Sequence, residues 1–319
     1  MVGPDRRRRA TLTFAAVSDG PDFPHPVFIG GFGRSGTHAI GPVVGADPRY
    51  HLVETEVRFH AVQGGLPDLL DGAISLDEFI SNCWEKFWLR GFKRPQGVHR
   101  LIERDDFEAA LARFRSEYDR DEWDASRRLV RAVVDPTAER AGKPAWCELT
   151  GRSVIYAPHL VRLFPRVRFI NIVRDGRAIA GGHVKKIDMT DDPVEALDKW
   201  GNMIRASHAG MSSVPAEHVL KIKLDDLVYH DREGTLQRVI DFLDVPDPEP
   251  MRALFERKIT PRKAHVGQWR ERMPPPEARK VDRRYRRMIR GFHRDGIDWI
   301  PEPEPREPLL HRIRQPQEA

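Results

Sequence analysis

The sequence predicts an α/β fold in which helices flank a central parallel β-sheet. Short apolar segments alternate with helical patterns, and the first apolar segment breaks into a glycine-rich turn that precedes a helix. Such alternation is typical of parallel sheets, whose strands are joined by crossover helices. Five strands are expected, near residues 26–31, 50–54, 145–149, 167–173 and 219–224. Ligands of these sheets bind at the carboxyl ends of strands, where we expect Arg34, Glu56 and Arg174 to emerge.

The glycine-rich turn has the composition of a phosphate-binding loop. It reads Gly30-Gly31-Phe32-Gly33-Arg34-Ser35-Gly36-Thr37-His38. Glycines let backbone N–H groups approach an anion closely, and the positive end of the following helix points into the same space. We therefore expect a phosphate-like group to bind here.

Two common nucleotide-binding loops match this turn incompletely. A nucleoside triphosphatase loop ends in lysine followed by serine or threonine, whereas this turn has Thr37 and His38 at those positions, which argues against magnesium-dependent ATP chemistry. The dinucleotide pattern G-x-G-x-x-G is met by three glycines of the turn. Glu54 or Glu56 follows at about the distance, roughly 20 residues, at which an acidic residue meets a ribose hydroxyl.

Two later segments place basic residues where they could also bind an anion. The strand-like run at 167–173 ends in Arg174, and an arginine fixed at a strand end can give a phosphate two charge-assisted hydrogen bonds. A C-terminal segment holds Arg262 and Lys263 side by side, followed by Gly267 and Trp269. Adjacent cations suit a dianionic phosphate, and a glycine allows close approach of the backbone.

In this chain order, the three segments resemble the motifs of sulfotransferases that use 3′-phosphoadenosine 5′-phosphosulfate (PAPS), over about residues 26–272. The resemblance is to the bacterial and tyrosylprotein sulfotransferase branch. It implies a P-loop NTPase-like sulfotransferase fold, PAPS as donor, 3′-phosphoadenosine 5′-phosphate (PAP) as product, and no metal. The residues implied to hold the 5′-phosphosulfate are Gly33, Arg34, Ser35, Gly36, Thr37 and His38. Those implied at the 3′-phosphate side are Arg174, Gly182, Arg262, Lys263, Gly267 and Trp269.

The resemblance also implies a catalytic glutamate shortly after the first helix. Glu56 is the candidate because Glu56-Val57-Arg58 is similar to the family's Glu-Thr-Arg, and Glu54 is the alternative. Arg34 is expected to stabilise the leaving phosphate. A base whose pKa lies closer to neutrality than that of free glutamate would act best, and partial burial would raise the pKa in this way.

Two positions depart from the family pattern. The family usually has a serine where this chain has Gly182, and we expect Lys185 or a backbone N–H to replace its hydroxyl. Related bacterial sequences carry a lysine after the glutamate that corresponds to Glu148, whereas this chain has Leu149. Glu148 is then expected to be structural, with Arg152 as a compensating cation.

Several functions stay open at this point. A P-loop kinase-like enzyme and a dinucleotide-binding enzyme are alternatives to sulfonate transfer. A catalytically degenerate nucleotide-binding protein is favoured by Gly182 and Leu149. The expected acceptor is a small molecule, carbohydrate, lipid or peptide that carries a hydroxyl or amine, and the sequence does not distinguish among these classes.

Length and composition fit one enzyme domain. Of the 319 residues, 40% are hydrophobic, which is enough for a substantial core. We predict a flexible leader at 1–24, a single domain at 25–300 with a helical insertion on the acceptor side at 60–144, and a proline-rich flexible tail at 301–319.

Charge and cysteine content exclude some classes of partner. The net charge of +5 and a pI of about 9.3 favour anionic ligands, but acidic residues interleave with the basic ones and aromatic–basic stacking patterns are missing, so nucleic acid is not expected. Two cysteines and scattered histidines indicate neither disulfides nor a metal site. We expect a cytoplasmic protein without an integral membrane segment, and the oligomeric state is left open.

Overall fold

A computed structural model describes residues 25–90, 95–183, 190, 192–260 and 266–304. At its centre is a five-stranded sheet in which all neighbouring strands are parallel. The strands are β1 (Val27–Gly30), β2 (Tyr50–Leu52), β3 (Ala145–Glu148), β4 (Arg168–Val173) and β5 (Val219–Lys223). This architecture confirms the predicted α/β fold, and each strand falls where the sequence pattern placed it.

The strand order puts β1 in the middle of the sheet. The order is β2-β3-β1-β4-β5, and Val27 of β1 lies opposite Cys147 of β3 and Arg168 of β4. All residues of β1 and β3 are buried, as expected of parallel strands covered by helices on both faces. The turn that follows β1 therefore lies at the centre of the edge where the carboxyl ends of the strands meet.

Helices connect the strands and extend the fold. In the described residues they are α1 (Thr37–Val44), α2 (Leu66–Leu70), α3 (Leu76–Asn82), α4 (Arg104–Tyr118), α5 (Glu122–Arg140), α6 (Ala157–Leu163), α7 (Gly176–His183), α8 (Pro193–Ser212), α9 (Arg232–Phe242), α10 (Glu249–Lys258) and α11 (Pro275–Arg294). Two π-helical segments span Cys83–Trp88 and Asp226–His230, and short 3-10 turns span Val98–Arg100, Ala216–His218 and Gln268–Arg270.

Three clusters of buried apolar side chains support the sheet. The largest joins the helices between β2 and β3 to one sheet face, and in it Trp84 and Trp88 pack against Phe107. A second cluster lies where α1, α9 and α10 cover the other face. The third joins α7, α8 and α11 through side chains such as Trp200 and Tyr285. This last cluster fixes α7, which begins just after β4, and so fixes the region around Arg174.

The chain termini are not part of the described structure. The predicted leader at 1–24 and residues 305–319 of the predicted tail lie outside the described residues, so the division into leader, domain and tail stays a prediction. Among the described helices, none combines the length and apolar composition needed to cross a bilayer.

Candidate active site

The turn after β1 is held in shape by contacts that only glycine permits. Gly31 has φ 150°, and its N–H donates to the carbonyl of Gly151 at 2.9 Å. A Cβ at Gly31 would collide with the carbonyl oxygen of Ile172, and a Cβ at Gly151 would collide with the carbonyl oxygen of Gly31. The backbones of Gly31 and Gly151 are therefore in direct contact at the start of the loop, and this contact orients the residues that follow.

The second half of the loop presents polar groups at the start of α1. Arg34 has φ 71°, a left-handed conformation that is unfavourable for a side-chain-bearing residue. The Ser35 N–H donates to the Phe32 carbonyl at 2.9 Å, whereas the buried Ser35 Oγ has no hydrogen-bond partner in the described structure. The first N–H groups of a helix also lack intrahelical partners. An anion bound here would satisfy both kinds of group.

Arg174, at the carboxyl end of β4, lies beside this loop. Its Nη1 donates to the Arg34 carbonyl at 3.4 Å, and its buried Nε has no hydrogen-bond partner among the described residues. Burial lowers the pKa of Arg174, and the neighbouring Arg272 and Arg34 lower it further, while Asp225 opposes them. Three guanidinium groups from distant parts of the chain thus come together, and Asp225 and Asp175 offset part of their mutual repulsion.

The C-terminal segment joins this cluster through α7. Gly267 has φ 74°, and the chain then turns so that the carbonyl of Trp269 and the Cβ of Arg272 lie next to Gly181. One residue further along α7, a Cβ placed on Gly182 would lie 3.4 Å from Arg34 Nε. The predicted residues Arg34, Arg174, Gly182, Gly267 and Trp269 are therefore brought to one region, whereas Arg262, Lys263 and Lys185 lie outside the described residues.

The nearby Arg177 has a different environment from Arg174. Its Nη2 donates to Asp175 and its Nη1 to Asp282 of α11, both at 2.6 Å. The guanidinium also lies 4.6 Å from the centre of the Trp269 ring. Burial opposes its charge, but the hydrogen bonds to Asp175 and Asp282 and the charge of Asp175 together outweigh burial and raise the pKa of Arg177. Arg177 therefore ties α7 to α11, whereas Arg174 keeps a buried Nε without a hydrogen-bond partner in the described part of the chain.

The side chains of Glu56 and Glu54 lie in different environments. Burial raises the pKa of Glu56, with a further rise from Glu148, against the opposing charges of Arg58, Arg90 and His38. His38 belongs to the first turn of α1, so Glu56 lies next to the glycine-rich loop. The exposed Glu54 instead pairs with Arg100 at 3.9 Å. The structure thus puts Glu56, and not Glu54, beside the loop.

Glu148 is a buried anchor for the Glu56 segment. Its Oε1 accepts the Val57 N–H at 2.9 Å and the Thr150 hydroxyl at 2.6 Å, and its Oε2 lies 3.4 Å from His60 Nε2. Although burial disfavours its charge, His60 and the Thr150 donors hold the pKa of Glu148 below its usual range. The Thr150 Oγ1 also accepts the N–H of Arg58 at 3.2 Å, where the backbone has φ 66°.

Neither Leu149 nor Arg152 supplies the cation that related sequences carry after the glutamate. Leu149 is buried, and its side chain packs against Gly41 of α1. Arg152 is exposed and makes a hydrogen bond with Tyr156, and it is not among the charges that act on the pKa of Glu56. The expected compensation by Arg152 therefore has no support in these contacts.

The site contains charged residues that sequence reasoning missed. Arg272 and Asp225 accompany Arg174, and Arg90 accompanies Glu56. Burial raises the pKa of Asp225 to about 6, with Asp175 adding to the rise and Arg174 opposing it. Asp225 lies two residues after the end of β5, so its place near the carboxyl end of a strand was an available signal. Across the described ranges, no group of three or more His, Cys, Asp or Glu residues could hold a metal ion.

Comparison with known proteins identifies the class to which this fold and site belong. The model of the Sulfotransferase family matches residues 26–249. The chain belongs to that family.

Its curated relatives include enzymes named for protein tyrosine. It is 27% identical over 244 residues to protein-tyrosine sulfotransferase A of Caenorhabditis elegans, which covers 74% of this chain and 54% of the relative. Identity to the protein-tyrosine sulfotransferase of Drosophila melanogaster is 23% over 226 residues, covering 69% of this chain and 38% of the relative. The chain thus spans about half or less of the length of these two relatives.

Similar solved structures include the sulfotransferase domain of the Synechococcus PCC 7002 olefin synthase. That comparison gives a TM-score of 0.49 at 17% identity and covers 82% of this chain and 95% of the other. Sulfotransferase STF1 from Mycobacterium tuberculosis gives a TM-score of 0.44 at 14% identity, covering 78% and 76% of the two chains.

Proposed function

We propose that this protein is a PAPS-dependent sulfotransferase that moves a sulfonate group to a hydroxyl, or amine, of an acceptor. Membership of the Sulfotransferase family supports the reaction class. The observation that carries the proposal is the convergence of Arg34, Arg174 and Arg272 around a loop whose Ser35 Oγ finds no hydrogen-bond partner among the residues that the structure describes. This is the environment that a ligand with several anionic groups would complete.

The residues of the loop fit the 5′ end of such a donor. Arg34, Ser35, Gly36, Thr37 and His38 would hold the 5′-phosphosulfate, which supplies the sulfonate when bound. The exposed Arg34 guanidinium and the N–H groups at the start of α1 are the donors suited to a phosphate oxygen on which negative charge develops. Fixed donors of this kind need no reorganisation during the reaction.

Cations on the other side of the loop fit the 3′ end. Arg174 would bind the 3′-phosphate through its unpartnered Nε and its Nη groups, with Arg272 adding charge. Arg262 and Lys263 are proposed to join them, since the segment that follows them, from Gly267 to Arg272, packs against α7. Trp269 is buried there and fixes the path of that segment.

Glu56 is proposed as the base that takes the acceptor's proton. Its raised pKa makes it a stronger base than an exposed glutamate, and its neighbour His38 places it at the loop. Glu148 acts as a positioning residue, because its hydrogen bond to the Val57 N–H holds the backbone directly after Glu56.

A tyrosine-bearing polypeptide is the first acceptor to test. The two relatives described above are named protein-tyrosine sulfotransferases, which supports a peptide acceptor without excluding carbohydrate, lipid or small phenols. The helices between β2 and β3 lie over the Glu56 side of the site and would shape the acceptor pocket.

Binding measurements test the nucleotide part of the proposal. Calorimetry with PAP, AMP and NAD should show a preference for PAP over AMP of at least tenfold, or about 1.4 kcal/mol. In Arg174→Ala this preference should disappear, whereas Arg166→Ala, an exposed arginine at the opposite ends of the strands, should keep it. Equal affinity for PAP and AMP in the wild type would overturn the assignment.

Turnover is tested separately with ³⁵S-labelled PAPS and a panel of tyrosyl peptides, phenols, amines and sugars. Transfer of label to any acceptor supports the enzyme. Tight binding of PAP without transfer to any member of a broad panel would instead favour a degenerate nucleotide-binding protein. Magnesium-dependent turnover of ATP would favour the kinase-like alternative.

A further inference from the structure

Arg90 is held beside the candidate base by a short antiparallel bridge. The N–H of Arg90 donates to the Gln96 carbonyl and the N–H of Gln96 to the Arg90 carbonyl, both at 2.7 Å. The hydroxyl of Thr55, the residue before Glu56, donates to Gln96 Oε1 at 3.3 Å. Because Gln96 is hydrogen-bonded to Thr55, the bridge holds Arg90 next to the segment that contains Glu56.

The guanidinium of Arg90 is only partly satisfied. Its Nε is buried and has no hydrogen-bond partner within the described structure. It interacts electrostatically with Glu56, Glu148 and Arg58. A buried donor without an acceptor is unfavourable by about 1–3 kcal/mol, and by more when it belongs to a charged group. An anionic group bound between Arg90 and the loop would remove this cost.

The chain also lacks the lysine that related sequences carry directly after the equivalent of Glu148. The family's lysine after the equivalent of Glu148 is replaced by Leu149, whose side chain is buried against α1. Arg152 is exposed and turned to Tyr156. Arg58 lies 4.0 Å from a Glu56 carboxylate oxygen, so part of its charge is already offset. Arg90 is the remaining basic side chain that is charge-coupled to Glu56 and comes from the helical region over the site.

We propose that Arg90 is a catalytic residue that binds the transferring sulfonate on the acceptor side, in place of the family's lysine. The inference rests on the proposed function. In the reaction, the bond from sulfur to the acceptor oxygen forms as the bond from sulfur to the phosphate oxygen breaks. The acceptor's proton goes to Glu56, and the electron pair of the broken bond goes to the phosphate. A guanidinium aimed at the sulfonate oxygens stabilises the charge that they carry during transfer.

Three variants separate this role from a structural one. Arg90→Gln removes the charge, Arg90→Lys keeps it, and Arg152→Gln removes the exposed arginine that lies closest in sequence to the missing lysine. With ³⁵S-PAPS and either an accepted tyrosyl peptide or water as acceptor, Arg90→Gln should lower kcat by about 100-fold, as loss of one transition-state donor does. Arg90→Lys should recover part of the loss, and Arg152→Gln should stay within twofold of the wild type.

Affinity for PAP gives a readout that does not depend on turnover. PAP has no sulfonate, so Arg90→Gln should bind PAP within twofold of the wild type. A tenfold loss of PAP affinity would mean that Arg90 belongs to the phosphate site, and it would overturn the proposal. So would unchanged kcat in Arg90→Gln while the wild type turns over, or a loss in Arg152→Gln equal to that in Arg90→Gln.

The titration of Glu56 provides a second readout without donor or acceptor. Its carboxylate is faced by Glu148, Arg58, Arg90 and His38, and Arg90 lowers the pKa of Glu56. In spectra of ¹³C-labelled protein, the Glu56 resonance should therefore titrate at higher pH in Arg90→Gln. An unchanged titration would show that Arg90 does not face the base and would overturn the inference. A wild type that binds PAP but never transfers sulfonate would instead overturn the proposed function. In that case the titration of Glu56 would still show whether Arg90 lies next to it.

Discussion

Glu148 accepts the backbone N–H of Val57 at 2.9 Å, and this contact joins the end of β3 to the residue after Glu56. The same carboxylate accepts the Thr150 N–H at 2.8 Å and the Thr150 hydroxyl at 2.6 Å. The Val57 N–H and the Thr150 hydroxyl donate to Oε1, whereas the Thr150 N–H donates to Oε2, which also lies 3.4 Å from His60 Nε2. A buried charge with this many partners fixes the backbone next to Glu56, the proposed base.

Replacing Glu148 by glutamine should therefore weaken both folding and turnover. The amide would place N–H groups against the donors of Val57 or Thr150, leaving buried groups unpaired at a cost of about 2–4 kcal/mol in unfolding free energy. Urea unfolding measures this change. Glu54→Gln, at an exposed glutamate, should stay within about 0.5 kcal/mol. A Glu148→Gln protein as stable as the wild type would contradict the anchoring role.

Removing the Glu56 carboxylate should abolish most turnover while PAP binding persists. General-base catalysis contributes about 100-fold to 10,000-fold, so Glu56→Gln should lose kcat within that range. In the wild type, kcat should fall as pH decreases through the pKa of Glu56, which burial raises above its ordinary value of 4.5. Glu56→Gln should lose this acid limb. Glu54→Gln is the comparison, and an equal loss there would reassign the base.

Restoring a serine at position 182 should strengthen PAP binding. The position faces Arg34, where a Cβ would make ordinary van der Waals contact at 3.4 Å from Nε. A hydroxyl bound to a charged group contributes about 1.5–3 kcal/mol, so Gly182→Ser should tighten binding about tenfold or more in calorimetry. Gly182→Ala separates the hydroxyl from the helix-stabilising effect of a Cβ, about 1 kcal/mol, and should leave PAP affinity unchanged. Equal affinities for the serine and alanine variants would contradict a phosphate site here.

Asp225 should make stability depend on pH. Its pKa in the folded protein, about 6, exceeds the ordinary value of 3.8, so ionisation weakens folding. The stability that Asp225 contributes to the folded state is therefore fully present below about pH 3.8 and is lost as pH rises through 6. Asp225→Asn should raise unfolding free energy at pH 7.5 by about 1 kcal/mol relative to the wild type, allowing for partial exposure, and by much less at pH 4.5. The same difference at both pH values in thermal unfolding would contradict the assignment.

The sheet and the loop could be predicted because their signals are local. Each strand is a short apolar run, and Gly30, Gly31 and Gly36 sit where the backbone takes φ values or close contacts that a side chain would obstruct. The alternation of strands and helices then determines that Arg34 and Arg174 share an edge. No long-range contact had to be known in advance.

The rest of the site depends on tertiary contacts that leave no local pattern. Arg90 reaches Glu56 through a two-residue bridge and one threonine hydroxyl. Arg272 reaches Arg174 because α7 and the C-terminal segment pack together. Glu54 and Glu56 could not be separated from sequence because residues two apart share a face in an extended strand. In the structure β2 ends at Leu52 and the chain turns at Arg58, so the two carboxylates diverge.

The central position of β1 determines how long the loop keeps its shape when the protein fluctuates. Openings of a sheet begin at its borders, where a strand has one neighbour, and here those strands are β2 and β5. The amide protons of Phe28 and Ile29 should exchange with deuterium among the slowest in the chain. Partial unfolding that frees a border strand would then leave the glycine-rich loop assembled, because the loop is attached to the strand that opens last.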